Sequence, residues 1–288
     1  MIASRTPRIL VACLLLAGCA GPALKVDDVL ADDFTPEDQA TTVYLPLAAF
    51  DLGANAARER AAAPGAGVAE LVDASRSLFF AADARVQIAA LETLDASADP
   101  DLETVVSVDD RASDRVRAEV ESLTRAGKEY AERALPLAPD DADALLYRGL
   151  NTSLLAWSVG KQRALFEGLG KACDDATRAA LAAGEAHGSG AALRLRGRFL
   201  SKAPWPVGDR EEGLRQLRRS TEVASVRLNW LFLGDALHAN GDAAGALDAW
   251  QRAYDADSDE DSTALAPYHR ELAQRRLDAA REGARTSD

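Results

Sequence analysis

The chain has 288 residues, with 33 Lys and Arg against 46 Asp and Glu, and a formal net charge of −13. This acidic balance argues against a nucleic acid partner, because binding a phosphate backbone requires a basic face. Alanine is abundant, whereas Val, Ile, Phe and Tyr are sparse, a composition that favours helix over strand. We therefore expect an all-α fold of one or two domains.

The first eighteen residues have the pattern of an export signal. Arg5 and Arg8 supply a positive start, and the apolar run Ile9–Leu16 is too short to span a bilayer. Residues 16–19 read Leu-Ala-Gly-Cys, which resembles the bacterial lipobox. That resemblance implies cleavage after residue 18 and acylation of Cys19, with palmitate among the acyl groups. The alternatives are an ordinary secretory signal cut elsewhere and a retained anchor helix, which the length fits poorly.

Cleavage before Cys19 would leave 31 basic residues against 46 acidic ones, a formal charge of about −15. Cys13 would be lost with the signal, and Cys19 would carry lipid. Cys173 would then be the only free thiol, so no internal disulfide forms. We predict that Cys173 is a buried core residue.

Helices are predicted along most of the remaining chain. Residues 19–34 are predicted to be an acidic tether, and Thr35-Pro36 has the pattern of a helix start. N-terminal helices are then expected over residues 35–124. Individual segments are a loop over 61–67, a long helix from Val68 to about Leu94, another from about Arg111 to Leu137, and further helix over 160–184 and 265–281.

An internal repeat with an offset of 33 residues lies in the C-terminal half. Residues 208–220 align with residues 241–253, and each copy opens with a Gly-Asp turn. Small, bulky and small residues follow at the same places, as Gly213, Leu217, Ser220 and Ala246, Trp250, Ala253. A weaker copy is carried by Ala134, Pro139, Leu145 and Gly149.

The repeat resembles the tetratricopeptide repeat (TPR) family. The matching positions are Trp230, Leu233, Gly234, Gly241, Ala246, Trp250 and Ala253. Leu237 and Ser258 depart from the consensus, and a four-residue insertion around Ala203–Pro206 separates Gly197 from its turn. The resemblance implies a right-handed solenoid of about four helix pairs over residues 125–288, closed by a capping C-terminal helix.

Neither a catalytic site nor a metal site is predicted. His187, His238 and His269 are not spaced for metal binding or base catalysis, and the glycine pairs at 168–170 and 188–190 complete no phosphate or hydrolase motif. We therefore predict that the protein is not an enzyme and uses no cofactor. The glycosylation triplet Asn151-Thr152-Ser153 falls within a predicted helix and is expected to be unused.

The stretch from Leu193 to Arg227 carries nine basic residues against four acids, opposite to the balance of the whole chain. Arg194, Arg198 and Lys202 are candidates for contact with an acidic partner or an anionic ligand. The preferred alternative is that these cations pair with the chain's own acids. Trp205, held between two prolines, either anchors a partner or lies on the adjoining helices.

The layout of a lipidated signal, atypical TPR pairs and a proline-containing insertion resembles the TatT-type family associated with TRAP transporters. That resemblance implies a periplasmic partner, namely a TRAP-type substrate-binding protein, and a pore that encloses a small hydrophobic ligand. Ala20, rather than aspartate, follows Cys19, which resembles Gram-negative lipoproteins of the outer membrane that face the periplasm. The alternative function is a general scaffold for outer-membrane or secretion assembly. Neither the partner's identity nor the oligomeric state follows from the sequence.

Overall fold

A computed structural model describes residues 44–204, 207–256 and 264–286. These residues form eleven α-helices and one 3-10 helix, and they contain no strand, so the expected all-α fold is confirmed for this part of the chain. Several predictions concern residues outside it: the signal segment 1–18, Cys19, the tether 19–34, the helix start at Thr35, and Trp205.

The helices follow one another with short connections. In chain order they are α1 (Leu47–Ala62), α2 (Val68–Asp95), α3 (Leu102–Val106), the 3-10 helix (Val108–Arg111), α4 (Asp114–Ala134), α5 (Ala142–Phe166), α6 (Leu169–Ala183), α7 (Ala191–Lys202), α8 (Arg210–Val223), α9 (Arg227–Ala239), α10 (Ala243–Asp255) and α11 (Ala266–Thr286).

The two Gly-Asp turns of the repeat start α8 and α10. Asp209 accepts a hydrogen bond from the backbone N–H of Glu212, and Asp242 accepts one from Gly245, both at 2.9 Å. Each aspartate therefore acts as an N-cap, which satisfies a backbone donor that the helix itself leaves unpaired. Gly241 ends the preceding helix with a φ of +80°, a left-handed conformation that favours glycine.

Consecutive helices pack in adjacent pairs, and small residues allow the close approach. A Cβ on Gly234 of α9 would lie 2.4 Å from Cδ1 of Trp250 on α10. In the preceding pair, a Cβ on Gly197 of α7 would lie 2.9 Å from the carbonyl oxygen of Gly213 on α8. Neither position has room for a larger residue, because protein interiors are close-packed.

The helical stretch predicted over residues 160–184 is divided. A kink at Gly160, with φ 78° and ψ 163°, interrupts α5, which then ends at Phe166. Gly168 is left-handed, and α6 begins at Leu169. The last turn of α5 consequently points outward, with Leu165 78 % exposed and Phe166 89 % exposed.

The C-terminal helix α11 joins the last helix pair to the first helices of the structure. It packs against α9 and α10 and also against α2 and α3. Leu265 and Tyr268 belong to one apolar cluster with Phe50 and Leu78, and the Tyr268 hydroxyl donates a hydrogen bond to the carbonyl oxygen of Leu45. The sequence predicts this segment to be a terminal cap; in the structure it packs against N-terminal helices as well as against α9 and α10.

Candidate functional site

A cavity of about 1360 Å³ lies among α2, α4, α5, α7, α9 and α11. It is larger than the roughly 300–1,000 Å³ that is usual for small-molecule pockets. Aromatic side chains from four of these helices, α2, α5, α7 and α9, contribute to its wall: Phe79, Phe80, Tyr147, Trp157, Phe199 and Phe232. Leucines fill much of the remaining apolar wall, among them Leu146, Leu150, Leu154, Leu231 and Leu272.

The charge of the cavity wall is opposite in sign to that of the chain. Nine Lys and Arg side chains line it against seven Asp and Glu, whereas the whole chain has 33 against 46. The fold therefore gathers cations around the cavity and leaves the surplus acids elsewhere.

Five charged side chains form what we call the charged network: Asp109, Arg198, Lys202 and Arg276, which line the cavity, and Asp235 behind them. Arg276 on α11 holds Asp235 on α9 through two contacts of 2.7 and 3.1 Å. Asp109, on the 3-10 helix, receives Arg198 at 2.9 Å and Lys202 at 2.8 Å, both from α7. Arg198 also lies 3.7 Å from Asp235 and thereby links the two halves. Three cations thus share two carboxylates.

Neighbouring groups hold the charged network in place. The indole N–H of Trp250 donates to Asp235 at 3.1 Å, and Arg276 donates to the carbonyl oxygen of Leu272, also at 3.1 Å. The guanidinium of Arg198 lies over the ring of Phe232, 3.9 Å from its centroid, at a distance that favours a cation–π contact. The network is therefore built from groups whose positions are set by packing on α9, α10 and α11.

Asp109 is ionised in this setting. Burial alone would raise the pKa of its carboxyl group, but Lys202 and Arg198 outweigh that effect and hold the pKa well below the ordinary value of 3.8. The carboxylate therefore neutralises part of the charge of Arg198 and Lys202.

Arg117 on α4 also lines the cavity, but its hydrogen-bond partners are neutral. Its guanidinium donates to three backbone carbonyl oxygens, those of Ala112 at 3.3 Å, Trp157 at 2.8 Å and Asp110 at 2.9 Å. It also lies 4.6 Å from the centroid of the Trp157 ring. Within the ranges that the structure describes, Arg117 takes part in no ion pair, so its position is fixed by neutral groups and its charge is not balanced by a bonded carboxylate.

The three basic residues that the sequence analysis singled out line this cavity, together with acids and polar groups of the same chain. Arg198 and Lys202 belong to the charged network, and Arg194 is buried and donates to Asn229 at 2.7 Å. Elsewhere in the basic stretch, Arg196 pairs with Asp174 at 3.1 Å. Internal pairing, the preferred alternative from the sequence, therefore describes Arg196, Arg198 and Lys202.

The repeat-defining residues lie together in the α9–α10 pair. Leu233, Ala246, Trp250 and Ala253 are buried in one apolar cluster. Trp230 is half-buried, and its indole N–H donates to the hydroxyl of Ser225 at 2.8 Å. These residues position Asp235 and Phe232, which extend from the same helix to the charged network.

Sequence reasoning did not single out Asp109, Asp235 or Arg117, and it noted Arg276 only as part of the terminal helix. No local motif marks them, because Asp109, Asp235 and Arg276 come together only when α11 packs against both ends of the structure. The one usable signal was the basic stretch itself, which contains Arg198 and Lys202.

The remaining reactive groups are engaged inside the fold. Cys173 is fully buried, its thiol donates to the carbonyl oxygen of Thr152 at 3.4 Å, and burial raises its pKa to about 12. Asn151 is likewise fully buried, and its amide donates to Ser75 and to the carbonyl oxygen of Tyr147, so the formal glycosylation triplet is inaccessible in the folded protein.

Histidines and acids do not combine into a metal site in the described ranges. His187 pairs with Asp143 at 2.9 Å and His238 lies 3.5 Å from Glu103, but no group of three or more potential ligands assembles among residues 44–204, 207–256 and 264–286. The same ranges also contain no helix with both the length and the apolar character of a membrane span.

These features define an all-α protein whose paired helices form a large, partly open cavity lined by cations and aromatic rings. No protein-family model matches the chain, and no curated protein matches its sequence significantly.

Proposed function

We propose that this protein is a membrane-anchored, TPR-like interaction module of the bacterial envelope, which binds a periplasmic protein and holds a small ligand in its central cavity. In this proposal the partner is a substrate-binding protein of the TRAP type. The role is one of binding rather than catalysis, since the acids and bases of the charged network are already engaged with one another.

The TPR-like part of the proposal is supported by the packing of consecutive pairs. The α7–α8 and α9–α10 pairs use a glycine at the same structural position, Gly197 and Gly234, to approach Leu217 and Trp250. The glycine-aspartate turns that precede α8 and α10 are also alike. We propose that these pairs stack as a right-handed solenoid in which α11 is the cap.

The proposal that the protein holds a ligand rests on one observation, the cavity. A TPR module that only bound peptides would be expected to present a continuous polar groove with exposed aromatic side chains. Here six aromatic side chains line a deep cavity that is open to solvent on one side. Aromatic and leucine side chains beside fixed charged groups in one concave wall have the general character of a ligand site.

Anchoring rests on the sequence around Cys19. Metabolic labelling with palmitate should mark the wild-type protein, and the Cys19→Ser variant should lose the label and leave the membrane fraction. An unlabelled wild-type protein would contradict the anchor. The residue after Cys19 is alanine, which supports an outer-membrane location facing the periplasm.

Partner binding is tested by photo-crosslinking in cells. A photoreactive amino acid at Phe166, beside the cavity-lining Leu165, should capture an extracytoplasmic substrate-binding protein. The matched control carries the same amino acid at Leu52, which is 65 % exposed on α1 and does not line the cavity. It should not capture that protein.

Two outcomes would reject the TRAP-type partner. One is capture of outer-membrane assembly or secretion components at position 166, which would support a general envelope scaffold instead. The other is equal labelling of all neighbours from positions 166 and 52, which would indicate no specific partner at this face.

A further inference from the structure

We infer that the cavity takes an amphiphilic anion, with the acidic group held by Arg117 and an apolar body held by the aromatic and leucine side chains of the wall. This inference deepens the ligand-holding part of the proposed function, on which it rests, by naming the chemical class of the ligand and the residue that recognises its charge.

The guanidinium of Arg117 bonds only to neutral groups in the described part of the chain. A guanidinium carries five N–H groups, and three of them donate to the carbonyl oxygens of Ala112, Trp157 and Asp110. Two N–H groups are left over on a side chain that lines the cavity. Carbonyl oxygens fix the orientation of a guanidinium but do not neutralise its charge, so an incoming carboxylate would supply the missing counter-charge.

Arg117 lies beside the 3-10 helix and so close to the charged network. Arg117 donates to the carbonyl oxygen of Asp110, and the preceding residue, Asp109, carries the contacts with Arg198 and Lys202. The charged network therefore adjoins Arg117 through neighbouring residues of one short turn. That network contains three cations and two carboxylates and so carries one net positive charge, next to the acids Asp110 and Asp114 that also line the cavity.

An apolar wall adjoins Arg117. Trp157 lies against the guanidinium of Arg117, at 4.6 Å from the ring centroid. Leu154 and Leu150, one and two turns earlier on the same helix, also line the cavity. A ligand whose carboxylate reaches Arg117 would bury its hydrocarbon body along this helix, and each CH₂ group transferred from water would increase the affinity. A small, fully polar anion would leave these groups in water.

The test compares an acid with its alcohol. The full chain carrying Cys19→Ser avoids lipid and detergent, which would compete for the cavity. Displacement of the uncharged dye N-phenyl-1-naphthylamine by decanoate and by decanol then reports the affinity for two probes with the same hydrocarbon body. We expect decanoate to bind roughly tenfold or more tightly than decanol, because a hydrogen bond to a charged group contributes more than one to a neutral group.

Arg117→Gln should abolish the preference for decanoate and leave the affinity for decanol within about twofold of wild type, since the hydrocarbon body is held by the leucine and aromatic side chains of the wall. The matched control is Arg115→Gln, on the same helix, where the arginine is 76 % exposed and pairs with Glu119. It should keep the full preference. Thermal unfolding followed by circular dichroism shows whether both variants fold.

A second measurement does not depend on a variant. Decanoate with ¹³C in its carboxyl group is titrated with acid while bound to the wild-type protein and followed by NMR. A carboxylate held by Arg117 should stay ionised to a lower pH than free decanoate, so its pKa should fall. An increased pKa would show the acid group buried away from cations and would overturn the inference.

The outcomes separate the two levels of the proposal. Equal affinity for decanoate and decanol, or an unchanged preference in Arg117→Gln, overturns the inference while leaving a ligand-holding cavity. Failure of both probes and of the dye to bind overturns the ligand-holding function together with the inference.

Discussion

Arg276 on α11 and Asp235 on α9 form a buried, two-contact ion pair, at 2.7 and 3.1 Å, with side chains that are 6 % and 9 % exposed. The stability of the folded protein depends strongly on such a pair, because the loss of one partner leaves the other charged and without access to water. The pair also fixes the C-terminal helix to the wall of the cavity.

Asp235→Asn should lower the free energy of unfolding by about 3–5 kcal/mol, because it leaves Arg276 as an uncompensated buried charge. Chemical denaturation measures the change. The double variant Asp235→Asn with Arg276→Met should recover part of the loss. The control is Asp248→Asn, in an exposed pair with Arg252, where we expect less than about 1 kcal/mol. Equal effects at positions 235 and 248 would contradict the buried role.

Gly234→Ala should destabilise the α9–α10 pair by about 1–3 kcal/mol, because the added methyl group would overlap the Trp250 indole. Gly283→Ala, on the exposed side of α11, meets no atom within 4 Å and should stabilise its helix by about 0.5–1 kcal/mol. The difference in melting temperature between the two variants checks both signs. A Gly234→Ala protein as stable as wild type would show that the helices are not in close contact there.

The charged network should make stability depend on pH in the acid range. The folded-state pKa of Asp109 is depressed below its ordinary value of 3.8, so its contribution is fully present above that value and is lost as the pH falls towards the folded-state pKa. Asp109→Asn should therefore be less stable than wild type at pH 7, and the gap should narrow as the pH drops below 3.8. Denaturation at a series of pH values measures the gap.

The control for this pH dependence is Asp99→Asn, because Asp99 is exposed in the turn that follows α2. The stability of that variant should follow wild type at every pH. A gap between wild type and Asp109→Asn that stays constant from pH 7 to pH 2 would contradict the ion pairing of Asp109.

Cys173 should not react with iodoacetamide in the folded protein at pH 8, because the thiol is fully buried and its pKa is raised to about 12. The measurement is mass spectrometry of a chain in which Cys13 and Cys19 are replaced by serine. The same chain in guanidinium chloride is the control and should be alkylated completely. Rapid alkylation of the native protein would show that α5 and α6 separate readily.

The sequence correctly predicted features of the fold that depend on residues close together in the chain. An apolar stripe predicted α2 from Val68 to about Leu94, and the helix spans Val68–Asp95. The small-residue pattern of the repeat indicated close helix contacts, and Gly234 lies against Trp250. Both features are encoded within a few turns of helix.

The cavity and the charged network were not predictable in the same way. Asp109 lies in a connector with no regular pattern, which the structure shows as a 3-10 helix. Its partners Arg198 and Lys202 are about ninety positions later in the chain. Helical periodicity indicates which face of a helix is apolar but not which distant helix covers that face. The packing of α11 against α2 and α3 therefore could not be predicted from the local pattern.

The contact of α11 with the N-terminal helices has a consequence for how the protein unfolds. Linear repeat arrays fray from their ends, since each terminal unit is held by one neighbour only. In this protein Leu265 and Tyr268 are packed with Phe50 and Leu78, so the last described helix also contacts the first two described helices. Hydrogen exchange should therefore show no gradient of protection that declines towards α11, and the protein should melt as one cooperative unit.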